Sequence, residues 1–128
     1  MPATILICDD ELPIRAVLGM KFKAAGFNVR ECDNGVDGLA LALESTPDLI
    51  ITDYQMPGGD GLTLAEALAA IPSSKAIPVV MLTGRGHIVD EARLSRTGIV
   101  KLIDKPFSAR AVVEAVTTLL VSAQKEAA

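Results

Sequence analysis

The chain has 128 residues, half of them hydrophobic, yet aromatics make up only 3% and tryptophan is absent; one ordinary domain with an aliphatic core is expected. Its net charge of −4, with acidic and basic residues interspersed, offers no basic surface for nucleic acid, and no apolar run reaches the length of a membrane span. The N-terminus turns acidic too soon for a signal peptide, and Cys8 and Cys32 make neither a disulfide framework nor a metal-ligand set; they read as two buried thiols of a soluble protein in a reducing, cytoplasmic compartment.

In chain order, "ATILIC" (3–8) is short and rich in branched aliphatics, the pattern of a strand buried on both faces. Ile14, Val17, Leu18 and Phe22 then fall on one helical stripe, closed by Gly26. "FNVREC" (27–32) alternates apolar with polar residues and reads as an edge strand. A second stripe runs through Val36, Leu39, Ala40 and Leu43. "LIIT" (49–52) is another buried strand, and it delivers Asp53 to its tip. The turn "QMPGGDG" follows, with Asp60 placed to cap a helix carrying Leu64, Ala67, Leu68 and Ile71. "IPVVML" (77–82) and "IVKLI" (99–103) read as two more doubly buried strands. Between them "HIVDEARLSR" (87–96) has the weakest stripe, so its helix should be the least firmly packed. The last helix carries Val112, Ala115, Val116, Leu119 and Leu120, with Ser108 as its N-cap. One domain over 1–124 with a short tail at 125–128 is expected, without linker, repeat or second domain.

Five β-α alternations imply parallel strands, right-handed crossovers and helices on both faces of an open sheet. Ligands of such sheets bind beyond the carboxyl ends of the strands. There the sequence puts Asp9, Asp10 and Glu11, then Asp53, then Thr83 and Gly84, then Asp104, Lys105 and Pro106. Carboxylates about 5 Å apart repel by roughly 3 kcal/mol per pair at an effective dielectric near 20, which a cation between them relieves. Oxygen ligands without His or Cys select a hard ion, usually Mg²⁺, with positions left for water and a phosphoryl oxygen. Carboxylate nucleophile, metal, lysine and hydroxyl together suit a phosphoryl-accepting site.

With the acidic pair "DD" (9–10), "DLIITDYQMPGGDG" (48–61), "MLTG" (81–84) and "KPF" (105–107), the chain resembles, over essentially its whole length, the receiver domain of two-component response regulators, of the stand-alone, chemotaxis-regulator-like kind. The resemblance implies a flavodoxin-like fold, strand order 2-1-3-4-5. It implies Asp53 as the phosphorylated residue, Asp10 as a direct Mg²⁺ ligand, Asp9 as a ligand through water, and the main-chain carbonyl of Gln55 as the remaining protein ligand, with Mn²⁺ a possible substitute. By the same resemblance Thr83 follows the phosphoryl group, Lys105 holds a phosphoryl oxygen, and the peptide into Pro106 is cis. Such a domain is not a classical enzyme. It takes its phosphoryl group from a histidine kinase or histidine phosphotransfer protein and switches a surface at helix 4, strand 5 and helix 5. That surface would meet an unspecified downstream protein or a second copy of the chain, with no direct nucleic-acid contact and no membrane insertion.

Two positions stay open at this level. Leu102 stands where receivers commonly carry Tyr or Phe, and is either core packing or a change in output geometry; Ile99 after Gly98 replaces a more usual Ala. Arg85 either flanks the phosphoryl group, as Gln55 does, or is a solvated charge, while the lone His87 has no partner at metal spacing. A flavodoxin-type cofactor binder would need a phosphate loop where "CDDELP" is acidic. A Mg²⁺-dependent phosphohydrolase would need a second carboxylate beside Asp53 and a substrate cap. A constitutive docking module with the same fold is the remaining rival.

Overall fold

The strands form where runs of β-branched and aliphatic residues can be buried from both sides, and the helices form where an apolar stripe can cover them. The computed structural model describes residues 2–84 and 89–127, with side chains to residue 122. Along the chain lie β1 (Thr4–Cys8), α1 (Leu12–Ala24), β2 (Asn28–Cys32), α2 (Gly35–Glu44), β3 (Leu49–Asp53), α3 (Gly61–Ala69), β4 (Val79–Thr83), α4 (Glu91–Leu94), β5 (Ile99–Asp104) and α5 (Ala109–Ala127). All strand pairs are parallel, in the order β2-β1-β3-β4-β5. This is the expected doubly wound sheet.

Alternate residues of the central strands feed two hydrophobic layers. Ile5, Ile7, Leu49, Ile51, Val80 and Leu82 pack with Leu18 and Phe22 of α1 and Val112 and Val116 of α5. On the other face, Leu6, Cys8, Ile50 and Val79 pack with Ala42 of α2 and Leu64 and Leu68 of α3. The Phe22 and Phe27 rings meet edge to face at 5.5 Å, a favoured aromatic geometry. Helix starts are capped as expected: Asp60 Oδ1 accepts from the Thr63 amide at 2.7 Å, and Ser108 Oγ from the Ala111 amide at 3.2 Å. Each satisfies a donor that the first helical turn leaves unpaired.

Three readings need correction. β5 was expected to be buried on both faces, but it is the outer strand of the sheet. Val100, at a bulge opposite Val79–Val80, is 52% exposed, and Leu102 is 41% exposed. Leu102 is therefore not core packing. On α1, Leu18 and Phe22 are buried and Ile14 half-buried, whereas Val17 faces outward. On α2 the buried face is Gly35, Gly38 and Ala42, and Val36 and Leu43 point out, Val36 at 64% exposure. Small residues let this helix sit close on the sheet, so the inward face is the narrow one rather than the most apolar one. Helix α4 is a single turn with no buried residue, in line with its weak stripe. Helix α5 continues to Ala127.

Candidate functional site

The carboxyl ends of four strands meet at one edge. Asp9 and Asp10 follow β1, Asp53 ends β3, Thr83 ends β4, and Lys105 follows β5. Strand β3 is buried along its full length, so Asp53 sits on a rigid mount. Its next residue, Tyr54, donates its amide to the Leu82 carbonyl at 2.9 Å and accepts at its own carbonyl from the Gly61 amide at 2.7 Å. A Cβ at position 61 would collide with the Asp53 carbonyl. Glycine there lets α3 start directly against the Asp53 main chain, while Gly58 and Gly59 turn the chain through left-handed φ values of 75° and 104°.

The Lys105 ammonium lies 3.1 Å from Glu11 Oε1, 3.2 Å from Asp53 Oδ1 and 3.8 Å from Asp9 Oδ2. Carboxylate oxygens of Asp9, Asp10, Glu11 and Asp53 all come within 4.8 Å of one another. Asp9 is fully buried. Its Oδ1 accepts from the Glu11 amide at 2.9 Å, its carbonyl from Arg15 Nη1 at 2.7 Å, and its amide donates to the Cys32 carbonyl at 3.1 Å. Oδ2 of Asp9 has no hydrogen-bond partner among the described residues.

The electrostatics follow from this crowding. Burial, aided by the Asp53 charge, pushes the Asp9 carboxyl up to about 6, against the opposing Glu11 amide and Lys105. Burial also raises the Asp53 carboxyl, with Lys105 pulling down and Asp10 and Glu11 pushing up. For Lys105 burial acts downward, but hydrogen bonds to Glu11 and Asp53 and the nearby carboxylates outweigh it, and its net direction is upward. A sealed carboxylate oxygen without a donor, inside an all-oxygen cluster, fits a hard divalent cation, because an ion satisfies what the protein leaves unpaired.

Thr83 and Asp104 are neighbours in the β4–β5 ladder, and the Thr83 hydroxyl donates to Asp104 Oδ1 at 2.9 Å. The Lys105 amide donates to the Thr83 carbonyl at 2.7 Å, tying the lysine to the strand beside Asp53. The Lys105–Pro106 peptide is cis. Gln55 lies exposed in the bend two residues past Asp53, and Gly84 is half-buried. Arg85 and His87 fall outside the described residues.

Sequence reasoning noted Glu11 and Asp104 as carboxylates at this edge but gave neither a task. Glu11 is the shortest partner of the lysine, and Asp104 is the partner of the threonine hydroxyl. The signal for Asp104 was the strand register, which sets it opposite Thr83.

Comparison with known proteins agrees with the arrangement. The family profile described as response regulator receiver domain matches residues 5–117. The phosphate regulon transcriptional regulatory protein PhoB of Pseudomonas aeruginosa is 35% identical over 117 residues, which are 91% of this chain and 51% of that protein. The transcriptional regulatory protein ResD of Bacillus subtilis is 39% identical over 116 residues, 91% of this chain and 47% of ResD. The chain thus spans about half the length of the curated relatives it matches. The crystal structure of the chemotaxis response regulator CheY4 of Vibrio cholerae superposes with a TM-score of 0.84 at 25% identity, over 92% of this chain and 98% of that one. Strand order, the acidic edge and these matches lead to one conclusion: the chain belongs to the response regulator receiver domain family.

Proposed function

We propose that the protein is a signalling phosphoacceptor that takes a phosphoryl group from a phosphohistidine onto Asp53. The observation that carries this reading is Lys105 Nζ at 3.2 Å from Asp53 Oδ1, beside the unpartnered oxygen of Asp9. An Asp53 carboxylate oxygen attacks phosphorus, the P–N bond to the donor imidazole breaks, and its electron pair stays on the ring nitrogen, which takes up a proton. Lys105 holds the carboxylate before attack and a phosphoryl oxygen after it, and the Thr83 hydroxyl leaves Asp104 to donate to another. Asp10, Asp53 and the Gln55 carbonyl would hold Mg²⁺ or Mn²⁺ directly and Asp9 through water. Bound there, the ion would neutralise charge on the transferred group. Gln55 and Arg85 would tune access of water.

A histidine kinase or histidine phosphotransfer protein is the proposed donor. An apolar groove of about 530 Å³ supports its docking, since Ile14, Val17, Pro106 and Phe107 line it next to Lys105. Output would run through α4, β5 and α5 to a downstream protein or a second copy of the chain, as a shift between two populated states. No described helix is long and apolar enough to cross a membrane, and a cytoplasmic location is proposed with the donor.

Intact-mass spectrometry after incubation with Mg²⁺ and a small acyl phosphate tests the reading. One phosphate should add to the wild type and none to Asp53→Asn. No adduct on a wild type that binds Mg²⁺ would leave only a docking module, and an adduct surviving in Asp53→Asn would move the acceptor elsewhere.

A further inference from the structure

Beneath the acidic edge, two thiols face each other. Cys8 ends β1 and Cys32 ends β2, the two residues are direct partners in the parallel ladder, and their sulfurs are 2.9 Å apart. Paired strands run about 4.8 Å apart. That lies within the roughly 4.4–6.8 Å that separates the Cα atoms of a cystine. Closing a bridge here asks for side-chain rotation rather than backbone movement. Space for both sulfurs comes from Gly38 of α2, where a Cβ would come within 2.9 Å of Cys8 Sγ and 3.4 Å of Cys32 Sγ.

The two thiols differ in access. Cys8 is sealed, whereas Cys32 is half-buried and lines an open pocket of about 500 Å³ with Arg15, Glu31, Asp37 and Leu41. The expectation of two buried thiols is therefore corrected for Cys32, which a small molecule can reach.

We propose that Cys8 and Cys32 form a reversible thiol–disulfide site, with Cys32 as the reacting sulfur and Cys8 as the resolving one. The Cys32 sulfur attacks a low-molecular-weight disulfide, joins one of its halves and releases the other as a thiol. The Cys8 sulfur then attacks Cys32, forms the Cys8–Cys32 bond and releases the second half as a thiol. Two protein thiols are oxidised and lose two hydrogens, and the external disulfide is reduced to two thiols that carry them. Disulfides of reducing compartments are mostly of this transient kind. The bridge would sit directly behind Asp9, which follows Cys8 and whose amide is held by the Cys32 carbonyl.

The test is thiol counting by intact mass: the reduced protein is treated with oxidised glutathione, quenched in acid, unfolded and alkylated. The wild type should become lighter by two hydrogens, take up no alkylating group, and regain both thiols with a dithiol reductant. Cys8→Ser, with Cys8→Ala beside it because a hydroxyl is costly at a sealed position, should stop with glutathione on Cys32. Cys32→Ser should react about tenfold or more slowly, because exchange depends on access to the sulfur. A wild type that keeps both thiols alkylatable, stops at the mixed disulfide, or links only between molecules would overturn the proposal.

Discussion

Oδ2 of Asp9 is a carboxylate oxygen closed off from solvent with no donor of its own. With its carboxyl at about 6 in the fold, above an unfolded value of about 3.9, the group favours folding most below the unfolded value. That contribution is lost as pH rises through about 6. The raised Asp53 carboxyl acts in the same direction. On account of these groups the metal-free protein should be less stable at neutral pH than near pH 5, and Mg²⁺ should restore the difference. Because a proton and the ion compete, calorimetric Mg²⁺ affinity should fall by about tenfold per unit below the Asp9 value. Asp9→Asn should flatten that profile; an affinity indifferent to pH in the wild type would remove Asp9 from the ion's surroundings. At the same scale, the Thr83 hydroxyl donates to Asp104, and on the proposed function a phosphoryl oxygen would compete for it. A hydrogen bond to a charged group contributes about 1.5 kcal/mol or more. Asp104→Ala should therefore tighten binding of beryllofluoride, a phosphoryl mimic, by about tenfold with Mg²⁺ present. Unchanged binding would mean the hydroxyl is not contested.

Among the elements, α4 is the one with least to hold it. None of its residues is fully buried, and the Arg93 guanidinium ties it to α3 through Glu66, with Nε–Oε2 at 3.0 Å and Nη2–Oε1 at 2.5 Å. Both side chains are about one-third exposed, so solvent screens the pair and it adds little to global stability. Arg93→Ala should speed amide exchange in α4 while leaving global urea unfolding nearly unchanged. A matching loss of global stability would make α4 part of the cooperative core. Helix periodicity located α2 and set Leu39 against the core, but it missed Gly35, Gly38 and Ala42, because stripe arguments weigh apolarity whereas these face the sheet by virtue of size. For β5, residue types could not tell burial, because an aliphatic run reads alike whether or not a strand lies beyond it.

At the scale of the whole molecule, stability rests on two aliphatic layers around five strands. Phe22 is fully buried where α1, β2 and the sheet meet. Phe22→Ala should cost about 3–5 kcal/mol in urea unfolding, from lost burial and the cavity left behind. A loss under about 1 kcal/mol would mean the layer collapses into the gap. The architecture was legible because alternation of buried strands with amphipathic helices admits few topologies. Asp9, Asp10, Asp53, Thr83 and Lys105 were legible as a group because each follows or ends a strand at the same edge. The tasks of Glu11 and Asp104 were not, since they arise from approaches across strands that no local pattern records.

The residue after Asp53 is the only tyrosine in a chain without tryptophan. Ultraviolet emission from this protein therefore originates one residue from the candidate acceptor, with no other strong fluorophore to mask it. An ion arriving beside Asp53, or a phosphoryl group joining it, should change that emission in unlabelled protein. Stopped-flow mixing could then time each event on the native chain.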